Sequence, residues 1–281
     1  MPKGIGKLNT LRTLDNFKLA EPRYPSGCKL GDLKDLNHLR GELSITGLNY
    51  VSNVREAEVA CLKHKKHLRS LTLYFDELGD DGKRTFQKHL LNALEPHQDL
   101  EHLKIFDYGG NGLFPNWILS LTKLKLLTLF KCVSLEQFPP LGKLPNLESL
   151  EIFDAMSIKK VGIEFLGLEE SEGGQKQKNK SENSKSSLVL FPKLKNLYFW
   201  EIDNWEEWEG LPTEGEIAVM PSLRSLRISY CRKLNAVPQF LHVAPLQEFS
   251  IYHCTNLRQR YERETGEDWP KISHIPYVSI Q

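Results

Sequence analysis

The chain reads as an α/β solenoid, a horseshoe with a parallel sheet on its concave face, an irregular convex side and a few short helices in its N-terminal third. Three features carry this reading. A hexad of the form LxxLxL recurs at Leu68–Leu73, Leu100–Ile105, Leu124–Leu129, Leu147–Ile152, Leu194–Phe199, Leu223–Ile228 and Leu246–Ile251. Where the ladder is most regular its starts lie 24, 23 and 23 residues apart (Leu100 to Leu124, Leu124 to Leu147, Leu223 to Leu246), the period of a leucine-rich repeat. Apolar residues also return at fixed offsets behind each hexad. One such repeat cannot bury its own apolar face, so it must stack on copies of itself.

With the first Leu of each hexad as position 1, positions 4 and 6 point inward on a short strand while 3, 5 and 7 face the other side. Position 9 is Cys132, Ala155, Ile202, Cys231 and Cys254. Positions 12 and 15 are apolar again, as Leu135 and Phe138, Ile158 and Val161, Trp205 and Trp208, and Leu234 and Val237. Each repeat therefore leaves its strand, turns inward and returns along the convex side. Pro139, Pro140 and Pro238 favour an extended return over a long helix.

The N-terminal third, residues 1–99, is less regular. A first strand is expected within Leu8–Leu14 and a second around Leu43-Ser44-Ile45. Asn53-Val54-Arg55-Glu56 resembles a capping box and predicts a helix to about Lys66. Phe86, Leu90 and Leu94 share one helical face ahead of Pro96. Regular repeats follow over 100–167 and 188–260. Glu169 to Ser187 is polar and aperiodic, which predicts a disordered insertion; a concealed extra repeat is the alternative. Residues 261–281 are expected to form a terminal cap, and the whole of 1–281 one repeat domain.

Composition narrows the function. The formal charge of +1 provides no global positive field to draw nucleic acid. No apolar run approaches the roughly 20 residues of a membrane-spanning helix. Met1-Pro2-Lys3-Gly4 leads into polar sequence without the apolar core of a secretory signal. Five cysteines without framework spacing suit a reducing compartment, so a cytoplasmic location is expected. The opening is already repeat-like, as in a piece of a longer protein.

The chemistry-bearing motifs are weak. Cysteines at position 9 fit as small buried hydrophobes. Cys61-x-x-His64-x-x-His67 lacks a fourth ligand for zinc. Gly4-Ile5-Gly6-Lys7 lacks the spacer of a phosphate loop. The carboxylates around Trp205 and Trp208 read as a solvated edge, and nothing brings an acid and a base together in a cleft. The expectation is a chain with no catalytic residues, no metal and no cofactor.

A stronger signal lies at position 7, which reads Tyr74, Phe106, Phe130, Phe153, Trp200, Ser229 and Tyr252. Six of these seven are aromatic, opposite in parity to the inward leucines. Such a row can stack on itself and stiffen a sheet, and aromatic residues also anchor protein interfaces. Position 5 beside it carries Thr72, Lys104, Thr128, Glu151, Tyr198, Arg227 and Ser250. Of these, Lys104, Glu151, Tyr198 and Arg227 are the candidates for setting electrostatic specificity.

Several segments carry a family resemblance: Leu43-Ser44-Ile45-Thr46-Gly47-Leu48 with Val54-Arg55-Glu56-Ala57, Phe191-Pro192-Lys193-Leu194 leading to Trp205-Glu206-Glu207-Trp208, Pro221-Ser222-Leu223-Arg224-Ser225-Leu226, and the tail Thr265-Gly266-Glu267-Asp268-Trp269-Pro270. Together they resemble the leucine-rich repeat region of plant intracellular disease-resistance receptors of the coiled-coil, NB-ARC and repeat class. This resemblance implies protein partners: a pathogen effector, a host guardee or an NB-ARC domain held in check. The sequence itself contains neither a phosphate loop nor a nucleotide-binding core, so the family's nucleotide switch is not assigned. The alternative function is a substrate-recognition adaptor of a ubiquitin ligase. No F-box-like helical segment is read ahead of the first repeat in this stretch, which weighs against that alternative.

Overall fold

The computed structural model describes residues 4–24, 26–75, 81–112, 114–168, 188–211 and 217–281; the expected insertion, 169–187, lies outside them. Ten strands form one parallel sheet in chain order: β1 (Asn16–Lys18), β2 (Arg40–Thr46), β3 (His67–Tyr74), β4 (His102–Phe106), β5 (Leu126–Phe130), β6 (Ser149–Phe153), β7 (Asn196–Trp200), β8 (Ser225–Ser229), β9 (Glu248–Tyr252) and β10 (Tyr277–Ile280). From β4 to β9 the register never slips. Leu103, Leu127, Leu150, Leu197, Leu226 and Phe249 lie side by side, as do Ile105, Leu129, Ile152, Phe199, Ile228 and Ile251. These are hexad positions 4 and 6, all buried. A one-residue slip would turn each of them to the other face, so the hexad itself holds the register.

Behind the sheet, positions 9, 12 and 15 are buried in every repeat named above, which places Trp205 and Trp208 in the core. The strands β6 and β7 pair directly, from Ser149 with Asn196 to Phe153 with Trp200, so the interval between them adds no strand to the sheet. Its neighbours form two side ribbons instead: Leu188–Leu190 with Ile217–Val219, and Lys160–Val161 with Glu207–Trp208.

Two expectations need correction. The first strand is Asn16–Lys18, not Leu8–Leu14: Phe17 is the side chain that sits opposite Ile45 and is buried, while Leu8 is exposed. The helix expected to reach Lys66 is α1 (Arg55–Ala60), which ends where Cys61 adopts a φ of 48°. A short 3-10 turn follows and His67 already belongs to β3, so Cys61, His64 and His67 do not share a helical face. At its start, Asn53 Oδ1 accepts from the Arg55 N–H at 3.0 Å rather than forming a full capping box. The next helix, α2 (Asp81–Ala93), buries Leu90, with Leu94 just beyond it, as the periodicity predicts.

The tail supplies the last strand of the sheet. Two helices, Thr255–Tyr261 and Trp269–Ile272, precede β10 and are tied together by Asp268. This buried carboxylate bonds the Arg260 guanidinium and accepts from Lys271 Nζ at 2.6 Å. Burial pushes the Asp268 carboxyl upward, and the bonds from Lys271 and Arg260 more than reverse that, leaving it below the ordinary range.

Each regular strand ends in an unusual way. The position 8 residues Asp107, Lys131, Asp154, Glu201, Tyr230 and His253 have φ between 52° and 57°, a left-handed conformation that L-residues rarely adopt. In return the N–H of each of the first five reaches the position 7 carbonyl of the next strand at 2.8–2.9 Å or, for Lys131, 3.0 Å. One further ladder bond is made while the chain bends toward the convex side. Replacing Glu201 with Val is expected to destabilise the fold by about 1–2 kcal/mol, and Glu201→Gly to stay within roughly 1 kcal/mol of the parent. Urea unfolding of the two variants checks this; a harmless valine would contradict the backbone requirement.

Lys65 is fully buried and donates to the Leu33 carbonyl at 2.7 Å. Burial pushes its ammonium from 10.5 down to about 8, against the opposing pull of Cys61 and Asp35. Between these values the unfolded chain holds a proton that the native chain lacks, so this residue makes stability rise with pH across that window and weakens the fold below it. The difference in unfolding free energy between the parent and Lys65→Met is expected to shift by about 3 kcal/mol in the parent's favour over that range. A difference independent of pH would show that the site does not titrate as its burial requires.

Candidate binding face

The in-step register turns hexad position 7 into a row. Tyr74, Phe106, Phe130, Phe153 and Trp200 occupy adjacent strands, and Ser229 and Tyr252 complete the line. Tyr74 and Phe106 stack at 4.6 Å between ring centres with 18° between planes. Phe106 and Phe130 follow at 5.5 Å, and Phe130 and Phe153 at 5.8 Å. All five rings from Tyr74 to Trp200 are half-buried and Tyr252 is exposed. They therefore stiffen the sheet and still present ring area to solvent, each pair contributing about 0.5–1.5 kcal/mol beyond burial.

Beyond Phe153 the row changes construction. Phe153 meets Tyr198 edge-on at 5.3 Å, and Tyr198 leads to Trp200 at 6.1 Å. Ser229 leaves a gap, which Tyr230 closes from position 8, 4.8 Å from Trp200 and 5.5 Å from Tyr252. His253 stacks beside it at 4.9 Å. Strict strand alternation points Tyr230 away from this face; its left-handed backbone brings it back. The available signal is an aromatic immediately after the one position 7 that is not aromatic.

The polar candidates divide. Arg227 is held by Glu248 through two bonds, Nε to Oε1 and Nη2 to Oε2, each 3.0 Å, with Ser225 and Ser250 also donating to that carboxylate. The pair holds Glu248 below its ordinary range and Arg227 above its own, and their charges offset within the face. Glu151 accepts from Thr128 Oγ1 at 3.0 Å. Burial raises the Tyr198 phenol. Lys104 is half-buried and forms no ion pair with the described residues.

Two charged margins flank the rings, and neither was singled out from sequence. At position 2, Arg69, Glu101, Lys125, Glu148 and Lys195 alternate in sign. Lys125 reaches Glu101 at 2.6 Å, Lys195 reaches Glu148 at 2.7 Å and Arg69 lies 3.6 Å from Glu101. At the other end of the strands the position 8 side chains form a rim with Asp203. Burial pushes the Asp154 carboxyl upward, Glu201, Asp203 and Asp107 add to it, and Lys131 opposes it. Asp154 Oδ1 is buried without a hydrogen-bond partner among the described residues.

Away from this face, Cys132, Cys231 and Cys254 are free and buried. The Cys231 N–H donates to Cys254 Sγ at 3.3 Å, and burial pushes the Cys132 thiol up to about 12. Among the described residues no group of three or more His, Cys, Asp or Glu side chains could hold a metal, and no helix is long and apolar enough to cross a membrane.

Comparison with known proteins agrees with the repeat reading. The family model described as R13L1/DRL21 LRRs matches residues 30–155, and that described as plant disease resistance protein RPS2-like, leucine-rich repeats, matches residues 111–254. A protein of Arabidopsis thaliana named for disease resistance is 34% identical over 80% of this chain, and RGA4 of Solanum bulbocastanum, also named for disease resistance, is 27% identical over 99%. The chain spans 15% and 38% of the lengths of those two relatives. The leucine-rich repeat domain of the type III effector XopL shares the fold, with a TM-score of 0.58 at 15% identity over 98% of this chain and 79% of that domain. The chain belongs to the leucine-rich repeats of plant disease-resistance proteins.

Proposed function

We propose that this chain is a non-enzymatic protein-recognition module of plant immunity that works in the cytoplasm and is contacted through its concave aromatic face. The observation that carries the reading is the continuous ring row across seven strands, from Tyr74 to Tyr252. Large, rigid, half-exposed rings lose little conformational entropy when covered, which suits them as interface anchors. Family membership supplies the setting. The partner is a pathogen effector, a host guardee or an adjoining NB-ARC domain that the repeats restrain.

The test is capture from infected plant tissue, with and without an NB-ARC domain supplied in trans, by the parent and by Phe130→Ala/Trp200→Ala. Both rings are half-buried, and circular dichroism reports whether the double variant keeps its fold. The expected result is that the parent retains a microbial or host protein, or the NB-ARC domain, and the folded double variant loses it. Unchanged capture would refute the aromatic face as the contact. Recovery of ubiquitin-ligase core subunits in its place would replace the reading with the adaptor function.

A further inference from the structure

Resting on the reading of the concave face as a recognition surface, we propose that its partner presents arginine-bearing basic segments to the middle of the aromatic row. The left-handed bend brings each position 8 residue beside the position 7 residue of the following strand. The Asp107 N–H bonds the Phe130 carbonyl at 2.9 Å, that of Lys131 the Phe153 carbonyl at 3.0 Å and that of Asp154 the Trp200 carbonyl at 2.9 Å. A line of charges therefore runs alongside the central rings. The chain already seats one cation there: Lys131 Nζ lies 5.8 Å from the Phe130 ring centre, a cation–π distance.

The charges beside that cation are mainly negative. Glu201, Asp203 and Asp107 each push the Asp154 carboxyl upward, and Lys131 opposes them. On a chain whose formal charge is +1, this local excess of carboxylates stands out from the mean. A guanidinium laid on Phe153 or Trp200, both half-exposed, suits this edge, because its plane stacks on a ring while its N–H groups reach carboxylates beside it. Farther along, Arg227 is already consumed by Glu248, so it does not repel such a partner as an unpaired charge.

The probe is a fluorescent nine-arginine peptide, its binding to the 281-residue chain read by anisotropy, with a nine-glutamate peptide as control. The parent is expected to bind the arginine peptide and not the glutamate peptide. Asp154→Asn/Glu201→Gln, isosteric and compatible with a left-handed backbone, is expected to weaken binding roughly tenfold. Lys131→Asn should tighten it by vacating the Phe130 ring. Glu206→Gln/Glu207→Gln, exposed carboxylates outside the rim, should leave it unchanged.

Equal binding by Asp154→Asn/Glu201→Gln, equal weakening by Glu206→Gln/Glu207→Gln, or equal binding of the glutamate peptide would each overturn the proposal. The two levels separate cleanly. If rim neutralisation changes nothing while Phe130→Ala/Trp200→Ala still abolishes capture from tissue, the basic partner is wrong and the recognition face stands. If that aromatic variant captures its partner normally, the recognition reading beneath this proposal fails with it.

Discussion

The structure depends on one constraint: consecutive strands pair in parallel without slipping by a residue. Each repeat supplies identical inward positions, so the pairing that buries one leucine buries all of them. From β4 to β9 this holds at every strand. Rows then follow of necessity. Whatever residue type recurs at a given hexad position becomes a line across the sheet, and so position 7 becomes an aromatic row and position 2 a chain of alternating charge. Neither row needs a separate folding event.

The same constraint explains what the sequence made legible. A leucine at positions 1, 4 and 6 has one stable location, so the strands, the core cysteines and Trp205 and Trp208 could be read from spacing alone. Leu8, Leu11 and Leu14 imitate the hexad and point to a strand there, whereas the buried slot goes to Phe17, which lies outside it. The tenth strand was hidden because Tyr277–Ile280 borders the last repeat without carrying its leucines. The helix after Asn53 stops at Cys61 through a backbone conformation that propensity does not favour for that residue.

The candidate face was legible in part. Alternation identified the position 7 rings, but alternation fails at position 8, where a positive φ breaks the strand geometry. Alternation for that reason does not reveal Tyr230, or the rim of Asp154 and Glu201. The position 2 pairs carry little signal in sequence because each is an exposed ion pair worth little alone; only their regularity along the sheet sets them apart. Arg227 shows the opposite error, since its charge reads as available in sequence and is offset by Glu248 in space.

Strain and ordering therefore meet at the strand ends. Residues there could be glycine at small cost, yet they carry carboxylates, an amine and aromatic rings. These residues, though at the lip, remain bonded into the sheet. Residue-resolved amide hydrogen exchange tests this bonding most directly. The amides of Asp107, Lys131, Asp154, Glu201 and Tyr230, each bonded to the next strand, should exchange as slowly as those of Leu129 and Ile152 within the strands. Exchange at the rate of an unprotected loop would contradict the account.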